Sequence, residues 1–414
     1  MMNGCALFDN LFTNCGNNTT NDGTIDKPDD SDKPDDTDKP DDTDMPDDSD
    51  VPEEIMEYKK YTNEVYAKPF WEGKIVYNET VCFMQYTDEN GNKAFETASL
   101  AFPIEEIIAV MDYRLTKTYE EGKDYVVENC CLKLTDNTSV PYFTKQQLYL
   151  ETGDENYACN SENGKYFLKS EGSTFPNKQI VVTYRHTKKW TGYTPQSQSE
   201  KFPRTLDKLN KKENINVLFY GDSIFTGCNS SSKIDIEPRA EIFPEMITTY
   251  LSNKFGYEEG GETKITNINT ALGGTGYSWA NSNVQKNVID KAPDLLVIGF
   301  GMNDRCVADR YKTGMTTLVN TIKEALPNVE IMLVSTTLPN PESVKYSCYQ
   351  GEFESVLTEL AQNKNNVAVV GMTSMHKSLL ERKRFRDMTG SGLNHPNDFL
   401  ARIYAQTILK TLLG

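Results

Sequence analysis

Apolar and polar positions follow two different rhythms along this chain. From residue 213 onward, short apolar runs alternate with longer stretches in which apolar residues recur every three or four positions. The sharpest run, Val217 to Tyr220, begins after a Lys/Asn-rich segment and stops at Gly221-Asp222-Ser223. Brief apolar runs bounded by turn residues predict strands buried on both faces, as in parallel sheets. On this basis strands are expected at 215–220, 264–270, 294–300, 329–336 and 366–371. Helices are expected around 240–255, 282–291, 312–326, 350–363, 374–384 and 398–413. Such alternation predicts a parallel sheet with helices on both faces, a three-layer α/β/α domain. The helix at 398–413 is the clearest: Leu400, Ile403, Tyr404, Ile408, Leu409, Leu412 and Leu413 share one spacing, with Pro396 before it and Gly414 at its end.

Residues 55 to about 194 read differently. Val76 to Tyr86, Ala94 to Phe102, Ile107 to Tyr119, Asp124 to Leu134, Tyr166 to Leu168 and Gln179 to Thr187 are rich in Val, Ile, Tyr, Phe and Thr. Turn clusters such as Asp88-Glu89-Asn90-Gly91-Asn92 separate them. This pattern predicts an antiparallel β-sandwich, jelly-roll-like, over 55–200, ahead of a second domain over 201–414. Tyr58, Tyr61, Tyr66, Phe70, Trp71, Trp190 and Tyr193 could stack on sugar rings, although packing is the commoner use of any one of them. Residues 195 to 213 are expected to join the two domains.

Charge changes the picture only at one place. The net charge is −18, and residues 26 to 54, with thirteen Asp and two Glu against three Lys, carry twelve of those negative charges. Here Asp-Lys-Pro-Asp-Asp-Ser/Thr repeats every six residues. Frequent proline and dense like charge exclude helix and sheet, so residues 1–54 are expected to be a disordered tail and an extended acidic linker. A calcium loop is excluded by the lack of EF-hand spacing and of a turn glycine. Linkers of this kind tether extracellular modules to a surface or to another module, which places the protein outside the cell. The rest of the chain is only mildly acidic, so nucleic acid is not an expected partner.

Nine cysteines, at 5, 15, 82, 130, 131, 159, 228, 306 and 348, form no zinc-binding spacing, and no metal or cofactor is expected. Their odd number argues against a complete disulfide framework and leaves pairing within the first half open. No apolar run is long enough to span a bilayer. No intact signal peptide is recognisable, while Met2-Asn3-Gly4-Cys5 resembles the end of a bacterial lipobox, making Cys5 a candidate lipid anchor beside the plainer reading of a tail cysteine.

Candidate chemistry gathers where strands end. Ser223 follows the first parallel strand, and reacting groups in open α/β sheets collect at the strands' carboxyl ends. A serine nucleophile needs a base and donors for an oxyanion. The chain has three histidines. His186 lies in a first-half strand and His376 opens an amphipathic helix, both plausible structural positions. His395, in Asn394-His395-Pro396-Asn397-Asp398, precedes the helix at 398–413, at the same edge as Ser223. A helix N-terminus disfavours imidazolium and so keeps the ring able to accept a proton. Ala271-Leu272-Gly273-Gly274-Thr275-Gly276 follows the second strand and allows close backbone approach, and Gly301-Met302-Asn303-Asp304 follows the third and offers a side-chain amide.

Taken in order, Gly221-Asp222-Ser223, Gly273-Gly274, Gly301-Met302-Asn303-Asp304 and Asn394-His395-Pro396 resemble the four blocks of the SGNH (GDSL-type) hydrolases. The resemblance covers residues 213 to 414 and implies a flavodoxin-like α/β/α fold. It implies Ser223 as nucleophile and His395 as base and then acid. It also implies an oxyanion hole from the Ser223 N–H, the Gly274 N–H (Gly273 as fallback) and the Asn303 side chain. The family's aspartate three residues before the histidine is replaced by Gly392. The resemblance is thus read as a Ser-His dyad with the ring oriented by a backbone carbonyl, or alternatively by Asp387. A sandwich ahead of such a domain, with Phe202-Pro203-Arg204-Thr205-Leu206 between, is similar to extracellular carbohydrate esterases of the acetyl xylan esterase type. That likeness implies a secreted deacetylase of xylan or glucomannan, with Trp279 as a candidate sugar platform or a core residue. The other readings are a lipid esterase or thioesterase of the same fold, and a catalytically inert carbohydrate-binding surface protein.

Overall fold

Two of the longer strands in the first half, Ile75–Cys82 and Gln179–Arg185, are buried along nearly their whole length, and strands there stop where side chains capture the backbone. The computed structural model describes residues 54–154, 158–160, 166–344, 346–362 and 364–414. The acidic repeat and Cys5 lie outside the described residues. Residues 55–414 form one compact unit. Within it, β1 (Ile75–Cys82), β2 (Glu106–Asp112) and β3 (Gln179–Arg185) make an antiparallel sheet with β3 in the centre. Two further three-stranded sheets and a two-stranded one, all small, occupy residues 84–168.

The stretch expected as one strand over 124–134 is a hairpin of Tyr125–Glu128 and Cys131–Leu134, and two other expected strands are shorter than the pattern suggested. The one expected over 94–102 is cut to Lys93–Phe95. Beyond it Ala98 makes an isolated bridge with Leu132, and the donors that follow go to side chains: Ala101 N–H to Glu79 Oε1 at 2.8 Å and Phe102 N–H to Tyr184 Oη at 3.1 Å. The strand expected over 107–119 ends at Asp112, whose carboxylate accepts from Thr116 N–H at 2.7 Å and Lys117 N–H at 2.8 Å and turns the chain. Asp and Asn do this readily because their short side chains imitate a backbone turn.

The second half is a parallel sheet of β4 (Ile215–Gly221), β5 (Ile265–Asn269), β6 (Leu295–Gly299), β7 (Glu330–Val334) and β8 (Val367–Val370). Their spatial order is β5-β4-β6-β7-β8. A helix forms where only a joining segment was expected: α1 (Pro203–Lys211), with Pro203 in its first turn. Its free N–H groups at Arg204 and Thr205 each donate to the buried Glu330 carboxylate at 2.8 Å. A carboxylate at a helix N-terminus satisfies both orphan donors and the macrodipole. The remaining helices are α2 (Phe243–Phe255), α3 (Tyr277–Asn287), α4 (Ala308–Ala325), α5 (Phe353–Ala361), α6 (Met372–Leu380) and α7 (Asp398–Leu413).

Alternate strand residues face two cores. Leu218, Tyr220, Leu296 and Ile298 pack with α3, α4 and α5, whereas Val217, Phe219, Leu295 and Val297 pack with α2, α6 and α7. The second core continues without a break into Val76, Phe83, Phe102, Val182 and Tyr184 of the antiparallel half. For this reason α7 is buried around nearly its whole circumference. Its polar residues meet the first half: Gln406 Nε2 donates to Tyr66 O at 2.8 Å, and the Arg402 guanidinium lies over the Tyr66 ring.

The segment just before the histidine loop is stitched to the first half. Lys383 and Glu79 pair at 2.5 Å, both fully buried, and Lys383 Nζ also donates to Thr80 O at 3.0 Å. Cys82 N–H donates to Asp387 Oδ1 at 2.8 Å, and Arg386 Nε to Cys82 O at 3.1 Å. Gln179 Nε2 donates to Thr389 O at 2.8 Å. Among the described residues no disulfide forms and no helix is long and apolar enough to cross a membrane.

Candidate functional site

The sheet order reverses between β5 and β6, on either side of β4, and open α/β sheets present their crevice at such a point. Ser223 follows β4 and Asn303 follows β6, so the two loops flank this switch point. Gly221 must be glycine, since a Cβ there would lie 2.5 Å from the Phe225 ring and 2.7 Å from Gly299 O. After it the chain coils tightly, with Phe225 and Thr226 N–H groups both donating to Asp222 O. Ser223 is buried and its hydroxyl lies 2.9 Å from His395 Nε2.

His395 is carried on a narrow loop closed on itself. Gly390 N–H donates to His395 O at 2.9 Å, Thr389 Oγ1 to the same oxygen at 3.0 Å, and His395 N–H to Ser391 Oγ at 3.2 Å. Asn397 then caps α7 by accepting from Leu400 N–H. The ring's other nitrogen, Nδ1, lies 2.8 Å from the Asn229 side-chain amide and 3.2 Å from Glu171 Oε2.

Contacts run in a closed circuit around Ser223. Gly273 borders it, a Cβ on that glycine standing 3.6 Å from the serine Cβ. Two residues on, Thr275 O accepts from Asn303 Nδ2 at 3.0 Å. Asn303 Oδ1 accepts from the Tyr346 hydroxyl at 2.8 Å, and that hydroxyl accepts from Asn394 Nδ2 at 3.2 Å. Asn394 adjoins His395, which returns to Ser223. Because Tyr346 donates to Oδ1, the Asn303 amide has one orientation, and its nitrogen keeps a second hydrogen beyond the one spent on Thr275. Among the described residues the N–H groups of Ser223, Gly273 and Gly274 meet no protein acceptor. Gly274 has φ +74° and open space around it, so a side chain there would be strained though not crowded.

Two carboxyls lie beneath these loops. Burial pushes Asp222 up to about 7, against the pull of Ile224 N–H and of His395. Burial likewise pushes Asp304 up to about 6, although Tyr277 N–H at the start of α3 donates to it. Among the described residues no three His, Cys, Asp or Glu side chains converge as a metal site.

Four of the six residues singled out from sequence meet here: Ser223, His395, Asn303 and the glycine loop holding Gly274. Asp387 does not. Its carboxylate is fully buried against Cys82 N–H and Arg384, and although burial raises it, Arg384, Lys383 and Arg386 hold it below the usual carboxylate range. It is a structural anchor rather than the partner of His395. Trp279, on α3, is half-buried: its ring packs against Tyr220 at 5.6 Å and Phe300 at 6.4 Å, at the edge of the core. Of the other two histidines, His186 stacks on Phe102, and buried His376 accepts from Leu338 N–H through Nδ1 at 3.0 Å. Sequence reasoning missed Glu171, Asn229 and Tyr346, which lie in turns and loops without a distinguishing pattern.

A serine hydroxyl against an imidazole, with unpaired N–H groups and an oriented amide beside it, has the parts that acyl transfer requires. Residues 219–403 match the family described as GDSL-like Lipase/Acylhydrolase. No curated protein matches the chain. Among solved structures it is similar to a two-domain esterase active on acetylated mannans, co-crystallised with mannopentaose, at 21% identity and a TM-score of 0.42 over 52% of this chain and 54% of that one. The chain therefore spans about half the length of that relative. A variant of an acetyl-xylooligosaccharide esterase from Geobacillus stearothermophilus is similar at 17% identity and a TM-score of 0.40, over 49% of this chain and 95% of that one. At such TM-scores the assignment rests on the family match and the motif loops. Residues 219–403 of this chain are thus a domain of the GDSL-like lipase/acylhydrolase family.

Proposed function

We propose that the protein is a secreted serine esterase that removes O-acetyl groups from a plant polysaccharide, xylan or glucomannan, through an acyl-enzyme. In this reading His395 Nε2 takes the proton of Ser223 as Oγ attacks the ester carbonyl. The oxyanion is received by the N–H of Ser223, the N–H groups of the Gly273-Gly274 loop and the remaining Asn303 amide hydrogen. His395 then gives its proton to the departing sugar oxygen, and water repeats the sequence to release acetate. The observation that carries the reading is the closed circuit from Ser223 through Gly273, Thr275, Asn303, Tyr346 and Asn394 to His395. The polar, glycine-rich rim of this circuit suits a small acyl group on a hydrophilic alcohol. We read residues 55–200 as an antiparallel β-sandwich module, jelly-roll-like, supporting a catalytic domain over 201–414.

A lipid esterase or thioesterase is favoured by one feature, the exposed Leu272 and Val307 on the loops that carry Gly273 and Asn303. Acyl-chain dependence decides between the two: the deacetylase reading expects rates to fall from acetate to octanoate esters. The decisive test is acetate release from acetylated xylan and glucomannan, with Ser223→Ala as control. Turnover that survives Ser223→Ala, or a native enzyme that neither turns over nor reacts with a serine-directed phosphonate, would overturn it.

A further inference from the structure

Position 392, where the family resemblance implied an aspartate, cannot hold any side chain in this fold. Gly392 has φ +80°, in the left-handed region, and a Cβ on it would lie 2.5 Å from both the Leu168 carbonyl oxygen and the Phe175 ring. Leu168 and Phe175 bracket a turn from the first half of the chain. That turn is fixed to the histidine loop by Ser170 N–H donating to Ser391 O at 2.9 Å, and the Ser170 and Thr174 hydroxyls pair across it at 2.8 Å. At its tip Glu171 Oε2 comes 3.2 Å from His395 Nδ1. The Asn229 amide secures the carboxylate, its oxygen accepting from Gly172 N–H at 3.1 Å and its nitrogen donating to Glu171.

We propose that Glu171 is the positioning carboxylate of His395, supplied by the first half of the chain through the same turn that excludes a side chain from position 392. The proposal rests on the esterase reading. As a base, His395 must keep a proton on Nδ1 and leave Nε2 bare toward Ser223. The Asn229 amide N–H, 2.8 Å from Nδ1, favours the opposite tautomer, with the proton on Nε2 and the base disabled. Glu171 accepts the Nδ1 proton and selects the competent tautomer, then faces the imidazolium once Nε2 has taken the serine proton. Burial raises the Glu171 carboxyl, but the hydrogen bond and charge of His395, with Lys169, outweigh it and hold the group below the usual range. It is therefore ionised at neutral pH. Among the described residues the Asp222 carboxyl, next to Ser223, also interacts with the ring.

The test uses the full chain with Glu171→Ala, Glu171→Gln and Glu171→Asp, measuring 4-nitrophenyl acetate hydrolysis across pH and the rate of phosphonate labelling of Ser223. The Glu171 side chain is 71% exposed, so these variants should fold as the parent does. Losing the orienting carboxylate of a serine-protease triad costs ~10⁴-fold, and the longer, more solvated contact here should cost about 10- to 10³-fold in kcat. The Ala and Gln variants should show that fall in both kcat and labelling rate, with KM little changed. The acidic limb of kcat/KM should move to lower pH, because an imidazolium without a neighbouring carboxylate is less stable. Glu171→Asp should recover part of the loss. A labelled native enzyme whose Glu171→Ala variant keeps the native kcat, labelling rate and acidic limb overturns this proposal and leaves the esterase reading intact. A native enzyme unlabelled at Ser223 overturns both.

Discussion

Replacing Asn303 tests whether the amide is aimed at a developing charge or merely packs the loop. One of its two amide hydrogens goes to Thr275 O at 3.0 Å, and Tyr346 fixes the orientation by donating to Oδ1 at 2.8 Å. The second hydrogen is available to an oxyanion, alongside the unpaired N–H groups of Ser223 and the glycine loop. Asn303→Ala removes one preorganised donor, which in comparable sites costs about 10²- to 10³-fold in kcat, or ~2.7–4 kcal/mol. Because the interaction is made in the transition state and not with the ground-state ester, kcat should fall while KM holds. Asn303→Asp should be worse still, since it sets a carboxylate against both the Thr275 carbonyl and the oxyanion. Tyr346→Phe calibrates the geometry: it removes the bond that distinguishes Oδ1 from Nδ2, while the bond to Thr275 still resists a flip. One neutral hydrogen bond is worth ~1 kcal/mol, so this variant should lose less than about tenfold. Initial rates on 4-nitrophenyl acetate, normalised by phosphonate titration of active sites, measure all three. Asn303→Ala with kcat within about threefold of the native enzyme would refute the oxyanion role, since removing such a donor typically costs about 10²-fold or more.

Two predictions concern stability. Lys383→Met leaves the Glu79 carboxylate buried without its partner, which costs ~3–5 kcal/mol. At ~2.1 cal/mol/K per residue over roughly 360 residues this lowers Tm by about 4–7 °C in calorimetry, and adding Glu79→Gln should recover much of it. The second concerns Asp222 and Asp304, raised by burial to about 7 and about 6. A carboxyl raised on folding contributes stability that is full below its unfolded value near ~4 and is lost as pH rises through the folded value. Denaturation should therefore show Asp222→Asn losing less stability than the native chain between pH ~4 and ~7, and parallel curves for the two proteins would contradict the assignment.

The parallel half was legible because β4, β6, β7 and β8 are largely buried on both faces and so appear as apolar runs, whereas β5, at the sheet edge, is only half-buried and carries polar residues. Ser223, Asn303 and His395 were legible because each lies in a loop that begins where such a run ends or a helix starts. The antiparallel half was read less well. Its strands are cut short by acceptors such as Glu79 and Asp112, and nothing local in Ala94 to Phe102 says that Glu79 and Tyr184 will take its donors. Glu171 was invisible for a similar reason. Lys169-Ser170-Glu171-Gly172-Ser173 reads as an ordinary surface turn, and its meaning comes from a contact 224 residues further along the chain. Trp279 was read as either a sugar platform or a core residue, because an indole near a glycine loop suits both, and its position on α3 sets its half-buried ring against Tyr220. Asp387 lay close to His395 in sequence, yet three basic side chains and Cys82 N–H had already claimed it.

The enclosure of α7 bears on how the chain is made. The helix fills a gap between two sets of strands, both of which leave the ribosome before it does. Until it arrives, Phe243 and Tyr404 cannot stack, Tyr66 and Phe70 lack their Gln406 partner, and both earlier halves expose apolar surface. Nascent chains halted just short of residue 398 should consequently be the species most dependent on chaperones and most easily digested. Protection of the two halves should then appear together, on emergence of this one helix, rather than module by module.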